Sequence, residues 1–501
     1  MYGCRKNEMK KVLSIIIALS LLFVSCSQTS EPESSIQSDT VEVRSYSHDE
    51  RMELLDDTKL RFPRSFYDPD ALERYFDTLH VIQAEYSSPG SVPDSAFAEF
   101  EAARDALEVS YRGDYPVIVI DAPENLAKEY LNGSVSVIDD GEILSADVEI
   151  KVRGNSTADA PKKPYNIKFD EKVSLFGIEE GKKWSLLANM FDKTLIRNKL
   201  ALDFGLNVGL NYTSQSEFCE VWVNGRFMGN YLCCEPVSDG ANRVGIQTDE
   251  FDFILEITPF GGWSFVTGAG VPIYYDSPED PSPEQREYLD RLLEAAETAM
   301  KTGDPAEYGQ YIDIESFVNL YILMELFKDV DGYWKSLYFY VEDGKLYAGP
   351  PWDFDLTCGN VSEVYEEENY FTYHNVRGRG DDSGDSTRGL RMDEGWWQIL
   401  LDTDEFAGYV RERYCELQPL IVNIYEDNEL GQNQIDRLIE ANRESFEREY
   451  LPSDEDGAGW DIAECYSIYA GESKGSYDDN VEFLRDWLMR RNEWLLENIG
   501  K

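Results

Sequence analysis

The sequence predicts an α+β protein in which a strand-rich part precedes a mostly helical one. Two patterns carry that expectation. Between residues 115 and 234, short β-branched and aromatic runs alternate apolar and polar side chains, the two-residue period of a half-buried strand. After Ser282 the apolar spacing returns to about 3.6 residues, through 286–301 and Ile314–Phe327, and most of the last hundred residues keep it. With 501 residues, 42% of them hydrophobic, the chain can bury a substantial core and divide into two or more lobes.

Residues 1–25 read as a lipoprotein signal peptide. Counting from Met9, Lys10-Lys11 form a basic start, an apolar run extends from Val12 to Val24, and Phe23-Val24-Ser25-Cys26 looks like a lipobox. That run is ~13 residues, short of the ~20 that cross a bilayer. Cys26 is then the lipidated mature N-terminus, and the protein is expected outside the cytoplasm, held to the cell membrane or surface by its lipid. Residues 26–50, rich in Ser, Thr, Glu and Pro, read as a disordered tether. In 51–113, helical spacing behind Asp68 and Asp94 predicts a two-helix arm, a spacer or lid. A core over 114–360 begins with strands at 117–120, 135–138 and 146–153. Asn224-Gly225, flanked by two alternating runs, marks a hairpin. A polar loop at 361–390, expected to overhang the site, precedes a helical lobe at 391–501.

Composition excludes several chemistries. Forty-six Lys and Arg against 97 Asp and Glu give a formal charge of −51, which repels phosphate backbones and argues against nucleic-acid partners. Only His48, His80 and His374 occur, far apart, so histidine-pair zinc sites and Ser/His/Asp hydrolysis lack material. Acid–base work falls to carboxylates. Cys219, Cys233, Cys234, Cys358, Cys415 and Cys465 lack metal-ligand spacing, and most read as small core residues. No phosphate loop of the Gly-x-x-x-x-Gly-Lys type, no Gly-x-Gly-x-x-Gly after a strand and no His-Arg-Asp catalytic loop is present, which excludes a standard kinase or P-loop ATPase. Arg379-Gly380-Asp381 is a tripeptide that arises readily by chance. Trp263, Trp396 and Trp397 either stack sugar rings or sit in the core, and core is the better reading.

The most telling motif is Gly349-Pro350-Pro351-Trp352-Asp353-Phe354-Asp355. On an extended backbone Asp353 and Asp355 would share one face and bracket a hard cation, with Trp352 and Phe354 packed beneath. Upstream, Lys328-Asp329-Val330-Asp331-Gly332 lies in a helix-to-strand turn, where a carboxylate can be exposed or serve turn formation alone.

Together with Arg153-Gly154-Asn155-Ser156-Thr157, Pro161-Lys162-Lys163-Pro164-Tyr165-Asn166-Ile167-Lys168-Phe169, Lys183-Trp184-Ser185-Leu186-Leu187-Ala188-Asn189, Asp192 to Asn198, Val223-Asn224-Gly225, Gly229-Asn230-Tyr231 and Glu235, this motif resembles, in order, the spore-coat CotH kinase family. The resemblance spans about 115–360. It implies an atypical protein-kinase-like fold, with a strand-rich N-terminal lobe and a helical C-terminal lobe, that binds ATP with Mg²⁺ or Mn²⁺ and phosphorylates Ser or Thr of a protein substrate. By resemblance Asp331 is the catalytic carboxylate, with Asp329 its rival, and Asp353 and Asp355 hold the metal. Many members carry Asn where this chain has Ser336, a poorer metal ligand. Lys168, fixed on a strand, reads as a phosphate contact or a solvated edge lysine. Arg153 and Arg197 bind phosphate or pair with carboxylates. Glu235 would orient Lys168 by analogy with ordinary kinases. The acidic surface favours a basic, Ser-bearing target. The alternative is a catalytically idle surface-binding or adhesion lipoprotein on the same fold.

Overall fold

The computed structural model describes residues 44–500 apart from 57, 59, 61, 63, 108, 110, 112–114, 249, 259–263, 331, 333–334, 363–383, 388–394, 453–458 and 466. The expected lipid-anchor residue Cys26, the expected catalytic Asp331, Trp263 and the Arg379-Gly380-Asp381 tripeptide lie outside the described residues.

The alternating segments form strands β1 Val117–Asp121, β2 Leu131–Asp139, β3 Glu142–Val152, β4 Tyr165–Val173, β5 Gly181–Leu187, β6 Ser216–Val223 and β7 Arg226–Cys234. They close into a barrel in the order β1-β2-β3-β4-β5-β7-β6. Every neighbouring pair is antiparallel except β1 with β6, whose parallel pairing seals the seam. Asn224 and Gly225 turn the β6–β7 hairpin with φ of 52° and 78°, the left-handed pair that a two-residue type I′ turn requires. Barrel closure puts Ile118, Ile120, Val148, Ile150, Ile167 and Trp184 in one interior cluster. Cys233 and Cys234, on opposite faces of β7, enter different cores: Cys233 the barrel interior, Cys234 the larger core beside it.

The arm consists of α1 His48–Asp56, α2 Pro69–Ile82, α3 Ala84–Ser87 and α4 Asp94–Asp105. Asp68 caps α2, its carboxylate accepting from the Ala71 N–H at 3.0 Å. Asp94 does not cap α4; Pro93 holds that position, and Asp94 instead pairs with Arg51 at 2.6 Å. Tyr75, Leu79, Ile82, Phe97 and Phe100 give the arm its own core. Phe62, Phe66 and Tyr67 then cover Val117, Val119 and Ile138 on the outside of the barrel. That contact explains why β1 is apolar on both faces.

A second sheet runs β12-β11-β8-β10-β9, from β8 Phe253–Ile257, β9 Phe265–Val266, β10 Pro272–Ser277, β11 Leu337–Glu342 and β12 Lys345–Ala348. Around it and the barrel pack α5 Arg197–Val208, α6 Pro283–Met300, α7 Pro305–Tyr308, α8 Ile314–Phe327, α9 Trp396–Leu401, α10 Asp404–Glu416, α11 Gln418–Tyr425, α12 Gln434–Glu449 and α13 Tyr477–Asn498. Every residue of α8 from Phe317 to Phe327 is buried, so this helix is the axis of the helical part. Trp396 and Trp397 are core residues: both rings pack tilted or edge-on against Phe317 and Phe339, and their indole N–H groups donate to Glu297 and to the Phe317 carbonyl. The architecture is α+β, with a closed seven-stranded barrel and a separate five-stranded sheet where a strand-rich lobe was expected.

Candidate functional site

A cavity of about 610 Å³ opens between the barrel, the second sheet and the segment after α12. Its lining draws together Arg153, Gly154 to Thr157, Lys162, Asn189, Asn198, Glu256, Ser336, Asp353 and Asp355. Apolar side chains form another part of the wall, where the Phe191 and Tyr469 rings lie 6.2 Å apart beside Leu356 and Ile468. A volume of this size suits a small organic ligand.

The Asp353–Asp355 turn is not the expected strand. Asp353 has φ 71°, in the left-handed region, and no strand runs through 349–355. The two carboxylates nevertheless line the same cavity, because the backbone between them is clamped. Phe354, fully buried and edge-on to Phe327 at the end of α8, donates its N–H to Asn198 Oδ1 at 2.8 Å. Asn198 Nδ2 in turn donates to Asn189 Oδ1 at 3.2 Å, and Asn189 Nδ2 donates to the Leu195 carbonyl at 3.1 Å. Beyond the turn, Asn360 Nδ2 donates to the Asp355 carbonyl at 2.7 Å. Ser336 Oγ donates to Asp353 Oδ2 at 3.0 Å and so orients that carboxylate.

Glu256, half-buried on β8, faces the same cavity opposite Tyr338 of β11. Burial, reinforced by the charges of Asp276 and Asp353, pushes its carboxyl up to about 8. Burial and Asp239 likewise push Asp276 up to about 6. The guanidinium of Arg153, at the end of β3, lies 5.3 Å from the centre of the Trp352 ring. Gly154, at φ 85°, leads into a short 3₁₀ turn, Thr157–Asp159; a Cβ on it would meet Thr157 Oγ1 at 2.1 Å, so only glycine permits this close loop.

Of the other residues singled out from sequence, four lie away from the lining. Lys168 points outward from β4 and pairs with Glu149 at 2.5 Å. Glu235 does not orient it: Glu235 pairs with Arg243 and accepts from the Gln215 N–H. Arg197 is buried against Asp192 and donates through Nε to the Thr357 carbonyl at 2.9 Å, where it braces the chain just past Asp355. Asp329 is buried at the end of α8. Sequence reasoning missed Asn189, Asn198 and Glu256. The first two stood inside quoted motifs; Glu256 had only its place in an otherwise apolar strand to mark it.

The donor set suits a hard divalent cation. Carboxylates, hydroxyls and amides line the polar part, and no thiol does. Among the described residues no three His, Cys, Asp or Glu converge closely enough to hold an ion alone, so further oxygen ligands from outside the protein would be needed.

A family model described as CotH kinase protein matches residues 150–495. The chain belongs to the CotH kinase family. It is also 26% identical over 245 residues to the inner spore coat protein H of Bacillus subtilis (strain 168), an alignment covering 46% of this chain and 64% of that relative. The chain thus matches less than two thirds of the relative's length. The family match runs on through α12 and into α13, well past the expected end at about 360. Among the described residues no helix is long and apolar enough to cross a membrane.

Proposed function

We propose that this CotH family member transfers the γ-phosphoryl group of ATP to a Ser or Thr hydroxyl of a protein substrate, using Mg²⁺ or Mn²⁺, on a protein-kinase-like arrangement of a barrel lobe and a helical lobe. The observation that carries this reading is the single cavity in which Asp353, Asp355, Arg153 and the Gly154–Thr157 loop converge. Bound ATP with its cation supplies the transferable phosphoryl group and neutralises its oxygens. Asp353 and Asp355 are the residues to hold the cation, with Ser336 fixing the first of them. Arg153 and the close loop at Gly154 suit phosphate oxygens, and the Phe191, Leu356 and Tyr469 wall suits the flat base. Asp331 takes the substrate hydroxyl's proton as its oxygen bonds to phosphorus and ADP departs. The inner-spore-coat relative supports a surface or coat-associated place, and the lipobox at Cys26 supports a lipid anchor there.

Calorimetry on the chain from residue 50 onward tests this. ATP should bind only with Mg²⁺ or Mn²⁺, and Asp353→Ala should abolish the binding. No binding by the unaltered protein with either metal would sink the reading and leave an idle surface-binding protein on the same fold.

A further inference from the structure

One ion pair at the cavity belongs to no step above. Lys162 lines the cavity yet is fully buried. Its ammonium donates to Glu449 Oε2 at 2.9 Å and to the Asn230 carbonyl, and lies 4.6 Å from the centre of the Tyr231 ring. Glu449 is the last residue of α12, and its other oxygen accepts from the Asn230 N–H. Withdrawing two charges from water is costly unless each finds full partners. Here the barrel wall is opened to provide them: Gly229, at φ 93°, sits where a Cβ would meet Glu449 Oε1 at 2.1 Å. A neighbouring seam holds the same helix, through Asn230 Nδ2 to Ser445 and Arg448 to Glu220.

The pair reaches the polar wall of the cavity through a short covalent path. Lys163, next to Lys162, donates from Nζ to the Ala158 carbonyl at 2.7 Å, and the Arg153 N–H donates to the Pro164 carbonyl at 3.1 Å. Lys162 to Pro164 therefore tie down both ends of the loop from Arg153 to Asp159. We infer that Glu449 is a positioning residue for the phosphate side of the cavity: through Lys162 it fixes this loop, so that docking of α12 and nucleotide affinity are coupled. This rests on the nucleotide reading above.

The test compares the full chain with the double variant Lys162→Met/Glu449→Gln, which removes both charges while the introduced amide oxygen still accepts from the Asn230 N–H. Replacing both partners of a buried pair spares stability far better than removing one. Tm should stay near that of the unaltered protein while affinity for ATP with Mg²⁺ falls about tenfold or more, as for other residues that act through a ligand's neighbour. ATP affinity within twofold of the unaltered protein would overturn the inference. A second measurement needs no variant: on adding ATP, hydrogen exchange should slow together in 154–159 and in the last turn of α12, and slowing confined to the loop would overturn it. If the unaltered protein binds no ATP, both this inference and the proposed function fall; if it binds but the double variant binds equally, only the inference does.

Discussion

At the scale of single residues, Glu256 makes the sharpest prediction. In the metal-free protein its carboxyl is held up to about 8, well above an exposed glutamate, by burial and by the charges of Asp276 and Asp353. The folded state then binds this proton more tightly than the unfolded chain, so the group favours folding at low pH and that contribution is lost as pH climbs from about 4.5 to 8. Glu256→Gln should flatten this part of the curve: Tm of the unaltered protein should fall between pH 5 and 8 more steeply than that of the variant. Parallel curves would place Glu256 in an ordinary solvated setting. Sequence exposed such residues unevenly. Asp353 and Asp355 stood out by their spacing, but Asp353's left-handed backbone could not be read from it, because the clamp on Phe354 comes from Asn198, more than 150 positions upstream. Gly229 was legible as a motif letter only; its reason is a carboxylate 220 positions later.

Elements were easier to read than their assembly. Alternation and the Asn224-Gly225 turn located β1, β2, β3 and the β6–β7 hairpin, since each is a local pattern. Closure was not legible, because the parallel β1–β6 seam joins strands about a hundred residues apart with no turn between them to announce it. The arm shows the same limit. Its helices α2 and α4 were plain from spacing, but α1, which starts within the expected tether, and the short α3 were not, and its docking face, Phe62, Phe66 and Tyr67 on Val117 and Val119, is a tertiary fact. Those contacts lie on the outside of the barrel, and no arm residue lines the cavity among those described. The arm is therefore a cover for β1, not a lid on the site. A chain starting at Tyr115 should lose stability, on the order of several kcal/mol, from the uncovered side chains of Val117, Val119, Ile138 and Trp222 at roughly 1 to 2 kcal/mol each. Its ATP affinity, measured below its lowered Tm, should match that of the full chain; a lost or strongly weakened affinity would show that the arm acts on the site.

Across the whole molecule the dominant quantity is the charge of −51, legible from composition before any fold was known. It has opposite consequences for the two proposed substrates. ATP with its cation is still an anion and must approach against the protein's field, drawn in at close range by Arg153; a basic, Ser-bearing peptide is attracted from a distance. Salt screens the long-range part, with a Debye length near ~8 Å at physiological ionic strength, but leaves contacts inside the cavity largely intact. Raising salt from ~0.05 to ~0.5 M should lower kcat/KM for a Lys/Arg-rich Ser peptide by about tenfold, since steering acts on association. The same change should leave the association rate for ATP with Mg²⁺ unchanged or faster, and an acidic Ser peptide should follow ATP, not the basic peptide. Stopped-flow association and initial rates at four or five salt concentrations read these slopes directly. If basic and acidic peptides responded alike, the acidic surface would have no part in choosing the substrate, and selection would have to lie in contacts close to the phosphoacceptor itself.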